Sequence, residues 1–399
     1  MVKNIKSKII LINLIYLIII FLQKNLKEKE LNTHNENYNC SMIEAAEIAK
    51  DFINKSMNGY LFNNKIFEYN NNPTISVIIP VYNNEKIIVR TIRSIQNQIL
   101  ENIEIILVND FSRDNTSFII KNLQQKDNRI LNINNNKNMG TLYSRCIGVL
   151  SSKGKYIFPL DNDDMFLDRD VFDIIYKVAD KNNLDIVKFD GIQVKGIDNF
   201  FKNRLNKILF TDHKKNVILH QPELSNFPIK RNKYEGNYVM QDVYLWSKCI
   251  RSQTYKKAVS LYKKERYSIY MTSWEDNIIN YILFQLANSF IFNPKYGILR
   301  IEISSSTNHI TPIINKNFYE IYFLDAVFDF SKNTIKGKEV ILNIIITLVN
   351  RSRFNDTLNI NNNKKYFKSV IEKIINSKYI IKNDINFIKA LVSKYNLYK

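Results

Sequence analysis

Thr74-Ile75-Ser76-Val77-Ile78-Ile79-Pro80-Val81-Tyr82-Asn83-Asn84-Glu85 is a nearly continuous β-branched run that ends in a polar loop. A run of this composition marks a strand buried on both faces, as in a parallel sheet. Helical spacing follows at Ile87, Ile88, Thr91, Ile92 and Ile95. A second apolar run, 103–108, ends in Asn109-Asp110-Phe111-Ser112-Arg113-Asp114-Asn115-Thr116. A third, 130–133, precedes Asn138-Met139-Gly140 and a helical stretch to about Leu150. A fourth begins at Tyr156 and stops in Asp161, Asp163 and Asp164, with a helix expected over about 168–179 and a strand over 185–189. This β-loop-α alternation predicts an α/β sheet with right-handed crossovers. Ligands of such sheets bind beyond the carboxyl ends of the strands, where all of these polar loops fall.

The acidic cluster sharpens that expectation. Three carboxylates at the mouth of a buried strand repel one another and cost desolvation energy unless something positive sits among them. Hard oxygen ligands at i and i+2 suit Mg²⁺ or Mn²⁺, ions that commonly bridge protein carboxylates to a diphosphate. A solvated acidic turn is the other reading of the same triplet.

Four motifs in order resemble the nucleotide-sugar-binding half of family-2 inverting glycosyltransferases, which have the GT-A fold, a Rossmann-like mixed sheet with flanking helices. They are Val77-Ile78-Ile79-Pro80-Val81-Tyr82-Asn83-Asn84-Glu85, Val108-Asn109-Asp110-Phe111-Ser112, Asn138-Met139-Gly140 running on to Arg145-Cys146, and Asp161-Asn162-Asp163-Asp164. The chain departs from the family pattern at Asn109, where an Asp is usual, at Phe111, where the family has Gly, and at Cys146, where it has Asn. The resemblance implies a metal-dependent, inverting transfer of a sugar from a UDP-sugar donor to a hydroxyl on a glycan, glycolipid or glycoprotein acceptor. It implies that Pro80, Tyr82, Asn83 and Glu85 shape the uridine pocket, with Tyr82 against the base and Asp110 accepting from the base N3–H. Asn138, Gly140, Arg145 and Asp161 complete the implied nucleotide-sugar site. Asp163, assisted by Asp161, is the implied holder of a divalent Mn²⁺ or Mg²⁺. Tyr82 also reads as a partly buried aromatic, and Asp114 and Thr116 as caps of the following helix.

Inversion needs a carboxylate to take the acceptor's proton. Ser273-Trp274-Glu275-Asp276, ahead of a helical run through Ile278, Ile279, Ile282, Leu283 and Leu286, supplies Asp276 as that base and Glu275 as its substitute. The Ser273-x-x-Asp276 spacing is also an N-terminal capping pattern, and the two roles are compatible.

The 57 basic residues against 38 acidic ones give a formal charge of +19. No nucleic-acid-binding motif accompanies that excess, so no nucleic-acid partner is expected; the scattered lysines read first as a solvated face, with attraction to anionic donors, phosphorylated acceptors or membrane surfaces as the alternative. Residues 1–8 are short and basic, and 9–23 form an apolar run between Lys8 and Lys24. At 1.5 Å per residue this run reaches roughly 22 Å, which snorkelling lysines extend towards a ~30 Å hydrocarbon core. No small-residue cleavage site follows, so an uncleaved signal anchor is expected, giving a single-pass membrane protein with a lumenal catalytic domain in the ER or Golgi. A polar stem with an amphipathic helix, 24–72, then leads to a catalytic domain over 73–310, divided near 190 into nucleotide and acceptor halves, and to a helical region over 311–399. The competing reading is a catalytically degenerate nucleotide-sugar-binding protein of the same fold, motivated by Asn109 and Phe111. A nucleotidyltransferase is disfavoured because its Gly-rich phosphate loop has no counterpart in Val81-Tyr82-Asn83-Asn84.

Overall fold

The computed structural model describes residues 42–57, 69–196, 244–262, 275–302, 313–331, 335–350, 354–359 and 363–393, short strand segments between 206 and 240, and residues 202, 271, 395 and 397. The expected anchor over 9–23 lies outside these residues. Among the described residues no helix is long and apolar enough to cross a membrane.

Helix α1 (Met42–Met57) buries Ala45, Ala46, Ala49, Phe52 and Ile53 while Ile43 and Ile48 stay exposed, so the helix expected in the stem is present and one-sided. The first half of the sheet is built from β1 (Ile75–Val81), α2 (Ile88–Gln96), β2 (Ile103–Asn109), α3 (Thr116–Gln124), β3 (Ile130–Asn134), α4 (Thr141–Ser151) and β4 (Tyr156–Pro159). β1 and β2 are buried along their whole length, as their β-branched composition demands. On α2 the buried Ile88, Ile92 and Ile95 recur at one helical face, which packs on the sheet side. The four strands are parallel in the order β3-β2-β1-β4. The chain therefore builds outward from β1 in one direction and returns to its other side with β4. That reversal puts the topological switch point, where α/β sheets open a binding crevice, between β1 and β4.

Pro80 marks where the seam ends. A proline breaks a ladder that still needs its N–H. The β1–β4 register stops at Ile78 opposite Pro159, and the Leu160 N–H closes it on the Ile78 carbonyl at 3.0 Å. Because successive residues of a parallel strand point their backbone groups to alternate sides, the position of Pro80 falls on the β4 side just past this last bond. The chain then runs through Leu160 into Asp161, whose carboxylate is met by Arg145.

The second half of the sheet is mixed. β5 (Met165–Phe166), α5 (Val171–Lys181), β6 (Ile186–Lys195), β7 (Asn206–Ile208), β8 (Leu219–His220), β9 (Ile229–Arg231), β10 (Tyr238–Met240), β11 (Lys248–Arg251), α6 (Ser252–Tyr262), α7 (Glu275–Leu286) and β12 (Ser289–Glu302) follow in the chain. β11 inserts antiparallel between β4 and β6, β12 runs parallel to β6, and β5 closes the far end antiparallel to β12. β9 and β10 form a separate hairpin. β6 continues well past the 185–189 expected from its apolar core because β12 pairs with it out to Lys195. β12 absorbs Asn293-Pro294 as register shifts between Asn293 and Ile298, which is why no uninterrupted strand pattern marks it in the sequence.

The helical region expected at the C-terminus is present as α8 (Ile313–Ser331), α9 (Ile335–Asn350), α10 (Phe354–Leu358), α11 (Asn363–Ile375) and α12 (Lys382–Ser393). Their apolar faces join Ile278, Ile282 and Tyr281 of α7 in one continuous core, with α8 lying directly against α7. Residues from Met42 to Lys399 thus form a single compact unit.

Candidate active site

The loops that follow β1 and β2 are sewn together by backbone-to-side-chain bonds. The Asn83 N–H donates to Ser112 Oγ at 3.0 Å, and Asn83 Oδ1 accepts from the Arg113 N–H at 2.8 Å. The Asn84 N–H donates to Thr116 Oγ1, and the Glu85 N–H to Asp114 Oδ2. Glu85 returns the contact, accepting from the Asn115 N–H and its Nδ2 at 3.0 and 2.9 Å. Asn83 and Glu85 therefore shape the crevice by fastening its rim. Asp114 Oδ1 also accepts from the N–H of Thr116, the first residue of α3, while Asn115 at the N-cap makes no side-chain capping bond.

Asn109 explains itself locally. Its Nδ2 donates to Ser117 Oγ and Asn134 Oδ1, and its Oδ1 accepts from the Ser112 N–H. An aspartate has no hydrogens to give these two acceptors. Asp110, buried beside it, accepts from Asn135 Nδ2 at 2.7 Å and from the Met139 and Gly140 N–H groups at 2.8 Å each. Its carboxylate thus positions the loop that carries Asn138, whose Oδ1 also accepts from Gly140. Gly140 has φ +87°, and a Cβ there would sit 2.6 Å from the Met271 carbonyl oxygen, so only glycine lets the start of α4 meet that backbone. Tyr82 and Phe111 stand exposed at the ends of the two sewn loops, 43% and 45% accessible. Phe111 has φ +63°, a left-handed conformation that costs a side-chain-bearing residue roughly 1–2 kcal/mol.

Arg145 is the hub of the acidic side. Its guanidinium is 1% exposed. Nη2 lies 3.0 Å from Asp161 Oδ1, 3.6 Å from Asp276 Oδ1 and 3.9 Å from Glu275 Oε1. A single cation on α4 thus draws together the end of β4 and the start of α7, segments over a hundred residues apart in the chain. Burial lowers the tendency of Arg145 to hold its proton, but Asp276 and Asp161 outweigh it and raise its pKa. Burial, with Asp276 next in strength, pushes the Glu275 carboxyl up to about 8. Burial also raises Asp276, against the pull of Arg145 and a hydrogen bond from the Leu245 N–H at 3.2 Å. Both neighbours are raised by burial, Glu275 to about 8, and Asp276 is the nearer of the two to Arg145. Asp276 Oδ1 is buried, faces Arg145 Nη2 at 3.6 Å and makes no hydrogen bond among the described residues. Ser273 and Trp274 lie outside the described residues.

Asp161, Asp163 and Asp164 each offer an oxygen within 4.8 Å of the others. Burial, with Asp161 second, pushes Asp163 up to about 6, and burial with Asp163 raises Asp164 well above the ordinary carboxylate range. Asp164 Oδ1 accepts from the Ile301 N–H, but its buried Oδ2 has no partner among the described residues. An orphaned buried oxygen among hard donors fits Mg²⁺ or Mn²⁺. Asp164 was not among the metal ligands expected from sequence, where Asp163 and Asp161 alone were named. Two further groups escaped sequence reasoning. Arg90 on α2 and Arg300 on β12 both feel the field of Asp163 and Asp164, and Arg300 lies over the rings of Tyr244 and Trp246 at 4.9 and 5.6 Å. No local pattern announces either arginine. The acidic loop itself is held by the Asn162 carbonyl, which accepts from Thr91 Oγ1 and Asn84 Nδ2.

Comparisons with known proteins agree with this arrangement. The family model described as glycosyl transferase family 2 matches residues 76–244. Glycosyltransferase GlyG of Streptococcus pneumoniae is 33% identical over 113 residues, covering 28% of this chain and 37% of the relative. A Campylobacter jejuni GalNAc(5)-diNAcBac-PP-undecaprenol beta-1,3-glucosyltransferase is 36% identical over 96 residues, covering 24% of this chain and 31% of the relative. The chain spans from 25% to 52% of the length of four curated relatives it matches. Among solved structures, S. aureus TarS 1-349 in complex with UDP-GlcNAc superposes with a TM-score of 0.54 at 14% identity, covering 81% of this chain and 89% of that one. That likeness shows the fold, a mixed α/β arrangement of GT-A type. Residues 76–244 of this chain thus match the glycosyl transferase family 2 model, and over that span the chain is similar to its members.

Proposed function

We propose that this chain transfers a sugar from a UDP-sugar to a hydroxyl on a glycan, lipid-linked or protein acceptor, with inversion at the anomeric carbon. The observation that carries the reading is Arg145, which holds Asp161 and Asp276 on one guanidinium at the mouth of the switch-point crevice. The donor's base would lie towards Tyr82 and the β1 and β2 loops, and its diphosphate towards the Asp161, Asp163 and Asp164 cluster. The Asp276 carboxylate would take the proton of the acceptor hydroxyl as the acceptor's oxygen bonds to the anomeric carbon. The bond to the diphosphate oxygen breaks in the same displacement, and its electron pair leaves with UDP. Asp161, Asp163 and Asp164 would hold Mg²⁺ or Mn²⁺, which when bound supplies positive charge to the departing diphosphate. Binding of UDP-GlcNAc by TarS and the lipid-linked acceptor in the name of the Campylobacter relative support this donor and acceptor class. Attachment to a membrane through residues 9–23 is part of the same proposal, and it leaves the acceptor chemistry unchanged.

UDP release from a panel of UDP-sugars with Mn²⁺, compared with Asp163→Ala and Asp276→Asn, tests the proposal. Turnover should require metal and vanish in Asp163→Ala. Asp276→Asn should lose about 10²–10⁴-fold in rate while still binding UDP. A wild-type chain that binds UDP but turns over no donor with any supplied acceptor would favour the degenerate binding protein. A chain without UDP affinity would remove the assignment.

A further inference from the structure

Phe111 stands where the resembled family has glycine, and nothing in the fold requires a ring there. Its side chain is exposed, its φ is +63°, and the chain on both sides of it is pinned. On one side Asn109 Oδ1 accepts from the Ser112 N–H; on the other the Asn83 N–H and Oδ1 hold Ser112 Oγ and the Arg113 N–H. A bulky residue in a left-handed conformation persists only where its surroundings over-determine it, and such residues collect at functional sites.

Its position is informative as well. Val81 pairs with Asn109, and the Asp110 N–H closes the ladder on the Val81 carbonyl at 2.8 Å. Tyr82 is the first residue past that end on β1, and Phe111 the second past it on β2, so two exposed aromatic residues leave adjacent strands one register place apart. The crevice is thereby polarised. Carboxylates and buried arginines gather at the β4 and α7 end, and exposed rings at the β1 and β2 end. A flat, uncharged π-surface is what the second end can hold.

The geometry points to Phe111 as a further nucleotide-binding residue of this chain, a second aromatic surface near Tyr82 that stacks on the donor's nucleobase. The inference rests on the nucleotide-sugar reading above and adds to it a contact that a glycine cannot make. Stacking is indifferent to base identity, so Phe111 strengthens nucleotide binding as a whole and leaves discrimination among bases to polar groups.

Titration calorimetry of the full-length wild type, Phe111→Gly and Phe111→Trp with UDP, uridine and ribose 5-phosphate tests it. Phe111→Gly should weaken UDP and uridine by about tenfold, the scale of one lost base–aromatic stack, and leave ribose 5-phosphate unchanged. Phe111→Trp should bind UDP at least as tightly as the wild type. Because glycine accepts a positive φ without strain, the thermal midpoint of Phe111→Gly should not fall, which separates a lost contact from a lost loop. Equal UDP affinity in Phe111→Gly, or an equal loss for ribose 5-phosphate, overturns the inference while leaving the functional reading in place. A wild type that binds no UDP overturns both.

Discussion

Glu275→Gln removes a carboxyl of the Arg145 cluster that burial pushes from an ordinary 4.5 to about 8. Below about pH 4.5 this group carries its proton folded and unfolded alike, and it leaves stability untouched. Between 4.5 and 8 the unfolded chain releases the proton while the folded chain retains it. Stability therefore falls as pH rises through this window, and the loss is complete above 8. At 1.36 kcal/mol per pK unit, the difference between 4.5 and 8 sets a ceiling of ~5 kcal/mol on that loss. Asp276 and Arg145 share the same buried volume and take part of it, so roughly 2 kcal/mol is the expected gain of the variant at pH 8. Urea unfolding of wild type and variant, repeated from pH 5 to 9, reads this directly. The two should coincide near pH 5 and diverge upward for Glu275→Gln as pH increases. Parallel stability curves, or a variant weaker than wild type at pH 8, would refute the assignment of the proton to Glu275.

Two further outcomes follow from the same packing. Arg145→Met leaves Asp161, Glu275 and Asp276 without their shared cation and should lose roughly 3–5 kcal/mol, measured as a lowered denaturant midpoint. Gly140→Ala places a methyl 2.6 Å from the Met271 carbonyl at φ +87°. It should cost roughly 1–3 kcal/mol by thermal unfolding, and an unchanged midpoint would mean the Met271 backbone moves away freely.

Much of the sheet is legible from local sequence, because an apolar run cut off by a polar loop needs no distant information. β1, β2, β3 and β4 lie within a residue or two of their expected places for this reason. β12 was hidden because Asn293-Pro294 interrupts it, and only its partner β6 shows that the strand carries on. Asp276 was reached through the resemblance together with its capping spacing. Its coupling to Arg145 was not, because that contact joins helices 130 residues apart, and no spacing rule spans such a gap. Asp110 shows the opposite case. The motif names the residue, but its three partners, Asn135, Met139 and Gly140, depend on how the third loop folds back. Residues 193–232, read in sequence as carrying acceptor-side loops, lie for the most part outside the described residues.

The placement of Pro80 has a chemical consequence for whatever enters the crevice. Many phosphate sites are lined by successive main-chain amides, which bind the anion without any charged side chain. Here the β1 position just past the last β1–β4 bond, Pro80, offers no amide hydrogen, and the chain leaving β4 runs into the acids Asp161, Asp163 and Asp164. An anion settling there meets carboxylates where an amide cradle would offer donors. It must be met by mobile or side-chain charge instead, so its residence should follow divalent-ion concentration and ionic strength far more steeply than in an amide-lined cradle.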